Sequence, residues 1–275
     1  MKKATIKSIA KINLGLFVTG KRNDGFHNIE TIFYPVEIAD ELVFTKSEKF
    51  ELITDSDLLN KEPQHNLIYK AFNLLSEKTG INMPVKIELS KNIPAGAGLG
   101  GGSSNAASTL LTLNDMYNLG FSFKELSQFG LQLGSDVPFF IRPFSSYAEG
   151  RGEILTELDF ELDKSILIVN PLIHVNTGWA YSVCNKTPAS TKLRELGKYL
   201  NDFDFWKQNV KNDFEEAVFR EFPDVAEVKQ TLYNNGALFS LMSGSGSTVY
   251  GIFENEEKAR ETALHFPQNY KIFIV

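Results

Sequence analysis

Helices and strands alternate along this sequence without the regular spacing of parallel βαβ units, and that places it in the α+β class. Three observations carry the assignment. Strand-like segments crowd the first part of the chain, near Thr5–Phe17, Ile29–Ile38 and Asp40–Thr45. Two helical segments then follow one another, at about 104–118 and 123–133, with no strand between them. The last fifty residues read helix, strand, loop, strand, helix, strand.

The elements follow in order from local chemistry. Ile32, Tyr34 and Val36 alternate as on a half-buried strand. Asn66–Lys78 is predicted helical, with Leu67, Ala71, Leu74 and Leu75 on one face and Gly80 as its stop. Val85–Leu89 reads as a strand. Gly120 and Gly134 are expected to end the two central helices, and Ser122 with Glu125 forms a capping box at the start of the second. Ile166–Val169 is a short apolar strand closed by Asn170-Pro171. The polar stretch Thr187–Asn212 is expected to wrap the surface in helices and loops. From Asp224 come a helix, a strand over Ala237–Met242, the Ser243–Ser247 loop, a strand over Thr248–Phe253, a helix over Glu256–Phe266 and a strand over Lys271–Val275.

Between the strand at Val85–Leu89 and the next helix lies Pro94-Ala95-Gly96-Ala97-Gly98-Leu99-Gly100-Gly101-Gly102-Ser103-Ser104. Five of the seven residues Gly96–Gly102 are glycine, which lets the backbone turn sharply and approach a ligand closely. A helix starting at Ser103 or Ser104 leaves its first N–H groups free and points its positive dipole end into the loop. Together these features make a phosphate site. A P-loop requires lysine where this chain has Gly102. Gly96, Gly98 and Gly101 match the spacing of a dinucleotide fingerprint, but the strand that should follow the helix is replaced by the capping box. A plain glycine hairpin without a ligand carries a large chain-entropy cost.

Composition sets outer limits. With 275 residues the chain can bury a sizeable core, as one large domain or two smaller ones. Apolar content of 43% and charged content of 23% are ordinary for a globular protein. A formal charge of −6 argues against broad nucleic-acid binding but not against ATP, which backbone N–H groups hold locally. Cys184 is the only cysteine, so neither an intramolecular disulfide nor a cysteine metal cluster is expected. Lys7, Lys11 and Asn13 interrupt any apolar signal core after Lys2 and Lys3, and no apolar run approaches a membrane span. A cytoplasmic location is expected, with no nucleic-acid, membrane or protein partner.

The segment Pro94, Gly98-Leu99-Gly100, Ser103-Ser104, Ala106-Ala107 resembles the phosphate loop of the GHMP kinases, with Gly101-Gly102 inserted and Asn105 inside. The likeness extends to Lys11-Ile-Asn13-Leu with Gly20–His27, to Gly134-Ser-Asp136-Val-Pro138, and to Ser243-Gly244-Ser-Gly246-Ser247, so it spans residues 11 to 247. It is strongest toward the branch that phosphorylates the 2-hydroxyl of 4-diphosphocytidyl-2-C-methyl-D-erythritol with ATP. Homoserine- and mevalonate-type kinases of the family, and a catalytically silent nucleotide-binding protein on the same scaffold, are the alternatives.

The resemblance implies two α+β domains with the active site in the cleft between them: residues 1–155 binding ATP, and residues 156–275 completing the substrate site. It implies Asp136 as catalytic base and Lys11 as its catalytic partner. By residue type alone, Asp136 equally reads as a helix cap with Pro138 in the first turn, and Lys11 as a surface lysine on a strand. The loop from Pro94 to Ser104, together with Asn66 and Lys91, is expected to hold ATP. For Asn66 a helix N-cap is an equal reading, and for Lys91 a solvated side chain. Asn13 shares a strand face with Lys11 and is expected to bind substrate, as are Phe26, His27, Thr177, Gly244, Ser245 and Gly246. Many family members carry Tyr where this chain has Phe26; the stacking face is kept and a hydroxyl is lost. Mg²⁺ is expected with ATP. No acidic cluster is available for it in the sequence, and Ser104 is its one candidate ligand.

Overall fold

The computed structural model describes residues 2–55, 64, 66–184 and 191–275. The chain divides into two compact units, each assembled from separated segments. The first takes the residues up to Ala10, Glu37–Ala95 and Gly100–Pro143; the second takes Lys11–Val36, Gly96–Leu99 and Phe144–Val275. The expected boundary near residue 155 is a single cut, whereas these units divide after Pro143 and interleave earlier. The interleaving arises because β1 (Lys3–Lys21) and β2 (His27–Lys46) are each long enough to contribute to both units.

The sequence reading broke β2 between Ile38 and Asp40. It is continuous, because Asp40 occupies the inward-facing row with Val36, Ile38, Leu42 and Phe44, all of them buried. In the first unit β4 (Val85–Ser90) pairs antiparallel with Glu41–Lys46 of β2 and parallel with β3 (Glu51–Thr54), a strand absent from the sequence reading. Helix α1 spans Leu67–Thr79 and ends at Gly80 in the left-handed region, φ 65°. Its buried residues are Ile68, Ala71 and Leu75, so Ile68 takes the place expected for Leu67.

Helix α2 covers Gly101–Tyr117. It starts inside the glycine run, not at the serines, and it ends on left-handed Asn118 instead of Gly120. Helix α3 spans Phe123–Leu133 with the Ser122–Glu125 capping box formed, and Gly134 beyond it is extended. The short helix α4, Val137–Ile141, is entirely buried. A methyl added at Gly130 of α3 would lie 2.8 Å from Val137 Cγ1, so glycine is what lets α4 sit directly on α3.

In the second unit Thr31–Phe33 of β2 pairs with β5 (Ser146–Glu149), which pairs with β6 (Ile154–Glu157). The strands β7 (Ser165–Asn170), β8 (Phe239–Met242), β9 (Val249–Phe253) and β10 (Lys271–Ile274) form an antiparallel sheet in the order β10-β7-β9-β8. Helices α5 (Thr177–Val183), α6 (Thr191–Arg194), α7 (Phe203–Asn209), α8 (Glu215–Glu221), α9 (Pro223–Asn234) and α10 (Glu256–Ala263) complete it. Leu167, Val169, Val249 and Phe253 pack with Phe214, Val218, Val225, Val228, Leu232 and Ala259 in one core. The polar stretch that begins at Thr187 is not merely superficial. Its first residues lie outside the described set, but Leu193, Leu196 and Trp206 are buried, and the Trp206 indole donates to the Tyr199 carbonyl at 2.8 Å.

Candidate functional site

Within the second unit, strand period brings Lys11 and Asn13 to the same side of β1. Both are buried, and the Lys11 ammonium donates to Asn13 Oδ1 at 2.6 Å and to the Gly98 carbonyl at 2.8 Å. It also lies 5.3 Å from the centre of the Phe33 ring. The surface reading of Lys11 is therefore wrong: a buried ammonium needs partners, and it has them here. Asn13 is held from its other end, where Nδ2 donates to Thr31 Oγ1 at 2.8 Å.

Two glycine turns meet at this point. The Lys11 N–H donates to the Leu99 carbonyl, which docks the segment Gly96–Leu99 on β1. Ser243 Oγ donates to the Gly98 carbonyl at 2.9 Å and accepts the Asn13 N–H at 3.2 Å. Gly98 has φ 77°, and a side chain there would collide with the Ser243 carbonyl oxygen. At Gly244, φ 57°, an added methyl would lie 3.1 Å from Gly98 Cα. Glycine at both positions follows from backbone touching backbone. Asn212 pins the second turn by donating to the carbonyls of Met242 and Gly244, and Thr177 Oγ1 lies 3.0 Å from Ser245 Oγ. The residues Lys11, Asn13, Gly98, Leu99, Ser243 and Gly244 are thus one hydrogen-bonded cluster.

Phe26 and His27 follow the turn at Gly25. Phe26 is half-exposed, with the Arg151 guanidinium 4.4 Å from its ring centre. His27 stacks on Tyr181 at 4.9 Å, and Tyr181 meets Phe214 edge-on at 4.8 Å. Arg151, Tyr181 and Asn212 escaped the sequence reading because each reaches its neighbour across more than a hundred residues, or from an element with no motif of its own.

The first unit carries the remaining expected residues. Gly100, φ 72°, occupies the N-cap of α2 without a side chain, so the free N–H groups at this helix start belong to Gly101, Gly102 and Ser103. Ser103 is half-buried and Ser104 buried. A methyl at Gly134 would lie 3.8 Å from Ser103 Oγ, which sets the start of α2 beside the Gly134–Asp136 segment. Asp136 stands at the N-cap position of α4 with Pro138 in its first turn, yet its carboxylate makes no capping hydrogen bond. Asn66 does cap α1, accepting the Ile68 N–H at 2.9 Å, while its buried Nδ2 has no hydrogen-bond partner among the described residues.

Lys91 is not a solvated side chain. It is ion-paired with fully buried Asp40 at 2.6 Å, and Asp40 also accepts the N–H groups of Asn92 and Ile93 and the amide of Asn105. Burial lowers the Lys91 pKa, and the charge and hydrogen bond of Asp40 oppose that shift. Asp40 therefore ties the chain entering the glycine run to the helix leaving it. A carboxylate in the inward row of an apolar strand was the signal in the sequence, since an acidic residue is buried only when paired. Among the described residues no group of three or more His, Cys, Asp or Glu side chains is gathered to hold a metal ion, and no helix is long and apolar enough to cross a membrane.

Two α+β units, a glycine turn opening a helix, and a buried lysine at a junction of glycine turns define a phosphotransferase of one recognisable kind. The family of GHMP kinases N terminal domains matches residues 66–143, and that of GHMP kinases C terminal domains matches residues 189–272. The chain belongs to the GHMP kinase family, the ATP-dependent small-molecule kinases. It is 44% identical to 4-diphosphocytidyl-2-C-methyl-D-erythritol kinase of Azobacteroides pseudotrichonymphae over 249 residues, covering 89% of this chain and 91% of that one. A crystal structure of 4-(cytidine 5′-diphospho)-2C-methyl-D-erythritol kinase superposes with a TM-score of 0.83 at 32% identity, covering 98% of each chain. The homoserine kinase of Cytophaga hutchinsonii shares the fold, with a TM-score of 0.73 at 18% identity over all of this chain and 94% of that one.

Proposed function

We propose that this protein is a cytoplasmic enzyme that transfers the γ-phosphoryl group of ATP to the 2-hydroxyl of 4-diphosphocytidyl-2-C-methyl-D-erythritol, in the methylerythritol phosphate route to isoprenoids. The products are the 2-phosphate and ADP. The observation that carries the reading is the buried Lys11 ammonium, oriented by Asn13 and the Gly98 carbonyl where the two glycine turns touch. The names of its relatives support the choice of acceptor.

In this reading the acceptor oxygen attacks the γ-phosphorus as the bond to the β-bridging oxygen breaks, and Asp136 takes the hydroxyl proton. Lys11 supplies positive charge beside the reacting oxygen. The start of α2 and the glycine run bind the phosphates through backbone N–H groups, with Asn66 and Lys91 on the nucleoside side. Phe26 stacks on cytosine and His27 reads its polar edge. Asn13, Thr177 and Gly244–Gly246 complete the acceptor site. In terms of these roles, residues 1–155 carry most of the ATP site and residues 156–275 complete that of the acceptor.

With no carboxylate cluster among the described residues, Mg²⁺ fits as an ion held chiefly by the nucleotide's own phosphates. Half-buried Ser103 is a better-placed hydroxyl for it than buried Ser104. When bound, the ion neutralises charge on the transferring phosphoryl group.

Coupled ADP release with the cytidyl acceptor, homoserine and mevalonate, each in turn, tests the proposal. Turnover with the first alone is the expected result. Turnover with either of the others alone would overturn the choice of acceptor, and none with any of the three would favour a silent nucleotide-binding protein.

A further inference from the structure

His174 belongs to none of the motifs discussed so far. It lies on the segment Asn170–Val175, just after β7, and its position is fixed from several sides. Asn170 Oδ1 accepts the Leu172 N–H at 2.9 Å, and Leu172 takes a left-handed conformation with φ 59°. Ser247 Oγ, from the second glycine turn, donates to the Ile173 carbonyl at 2.5 Å. Val175 is buried beside Gly246, where an added methyl would meet it at 3.6 Å. The imidazole between these anchors is exposed, and among the described residues it has no hydrogen-bond or ion-pair partner. It rests over the first glycine of the phosphate loop: a methyl on Gly96 would lie 3.1 Å from His174 Nδ1 and 3.3 Å from Cε1. Gly96 has φ 64° and is itself exposed, so the ring and a bare stretch of backbone face solvent together.

An imidazole offers one N–H donor when neutral and two when protonated. Held against the backbone of a phosphate loop, with its nitrogens uncommitted, it is placed to donate to a phosphate oxygen. We propose that His174 is a further binding residue of this enzyme, donating a hydrogen bond to a phosphate oxygen of a bound substrate. The proposal rests on the reading of Gly96–Ser104 as a phosphate site. Two sources share the chemistry: the polyphosphate of ATP, which the glycine run is read to hold, and the diphosphate of the cytidyl acceptor, whose site the neighbouring Gly244–Gly246 turn is read to complete.

Calorimetry separates the two sources without requiring turnover. The probes are adenylyl imidodiphosphate and cytidine 5′-diphosphate, titrated into the wild type, His174→Ala and His174→Gln, with melting temperatures confirming that the variants fold. A hydrogen bond to a charged oxygen predicts about a tenfold loss of affinity for one probe in His174→Ala. His174→Gln, which keeps an N–H donor, should recover much of it. Loss for the adenylyl probe identifies the ATP phosphates; loss for the cytidyl probe identifies the acceptor diphosphate. In steady-state kinetics the matching KM should rise with kcat held within about twofold. Affinities unchanged for both probes, or a fall in kcat alone, would overturn the proposal. A wild type that binds neither probe would defeat the phosphate-site reading itself, a result distinct from binding that is indifferent to residue 174.

Discussion

Replacing Gly98 by alanine tests the junction of the two glycine turns most directly. Two costs act at once. Gly98 has φ 77°, where an L-residue is penalised by roughly 1–2 kcal/mol. The new methyl also collides with the Ser243 carbonyl oxygen, and because that atom is backbone, relief requires the turn to move by about 1 Å. Such a movement strains the bonds of Ser243 Oγ to the Gly98 carbonyl and to the Asn13 N–H, each worth about 1 kcal/mol. The total is about 3–4 kcal/mol, which for a chain of this size lowers the melting temperature by roughly 10 °C. Gly236→Ala is the matched control. Its φ is 94° and nothing lies within 4 Å of an added methyl, so only the conformational penalty of about 1–2 kcal/mol applies. Because the Gly98 carbonyl orients the Lys11 ammonium, the same displacement predicts a fall in kcat of up to about 100-fold, with the control unaffected. Circular-dichroism melts and coupled ADP release measure the two effects. A Gly98→Ala protein that melts with Gly236→Ala and keeps wild-type kcat would refute the close approach of the turns.

Three further outcomes are expected. Asp136→Asn should lower kcat by about 10²–10⁴ while calorimetry finds affinity for an ATP analogue unchanged; a folded variant with wild-type kcat would exclude Asp136 as the base. Phe26→Ala should raise the KM for the cytidyl acceptor, by a stacking loss of about 1–3 kcal/mol, far more than the KM for ATP; a change confined to ATP would assign this turn to the phosphoryl donor. Glu215, bonded to Lys229 and to the Met242 N–H, has its pKa raised by burial, with Lys229 opposing the shift. As pH rises from about 4.5, the unfolded chain loses this proton before the folded one does, so stability falls over that interval. Glu215→Gln should remove that part of the slope in urea unfolding at a series of pH values, and an unchanged slope would show that Glu215 does not titrate there.

The readable parts of the sequence were those governed by neighbours in the chain. The capping box fixed the start of the helix at Phe123, and Gly80 fixed the end of the first helix, because both signals act within one turn. Period two put Lys11 and Asn13 on one strand face, and they meet at 2.6 Å. Asp40 misled for the opposite reason. An acidic residue looks like a strand break until Lys91, Asn92, Ile93 and Asn105 converge on it from elsewhere. The start of α2 at Gly101 was missed because glycine is a poor helix former by itself; here it lies under Ile93 and Lys91, where a methyl would come within 2.9 Å and 3.2 Å. The stacking of His27 on Tyr181 and the approach of His174 to Gly96 depend on tertiary packing and leave no local pattern.

The interleaved segments have a consequence for synthesis on the ribosome. Residues Lys11–Val36 belong with Phe144–Val275, which are made more than a hundred positions later. Asn13 bonds to Ser243, its neighbour 230 positions further along. Until the residues around Ser243 have been made, this segment, rich in apolar strand residues, lacks part of its native packing. Contacts of such long sequence separation fold slowly and expose strand edges meanwhile. A nascent chain stalled before residue 243 should accordingly leave Lys11–Val36 open to protease, and full-length synthesis should depend on holding that segment from aggregation until the carboxyl-terminal strands arrive.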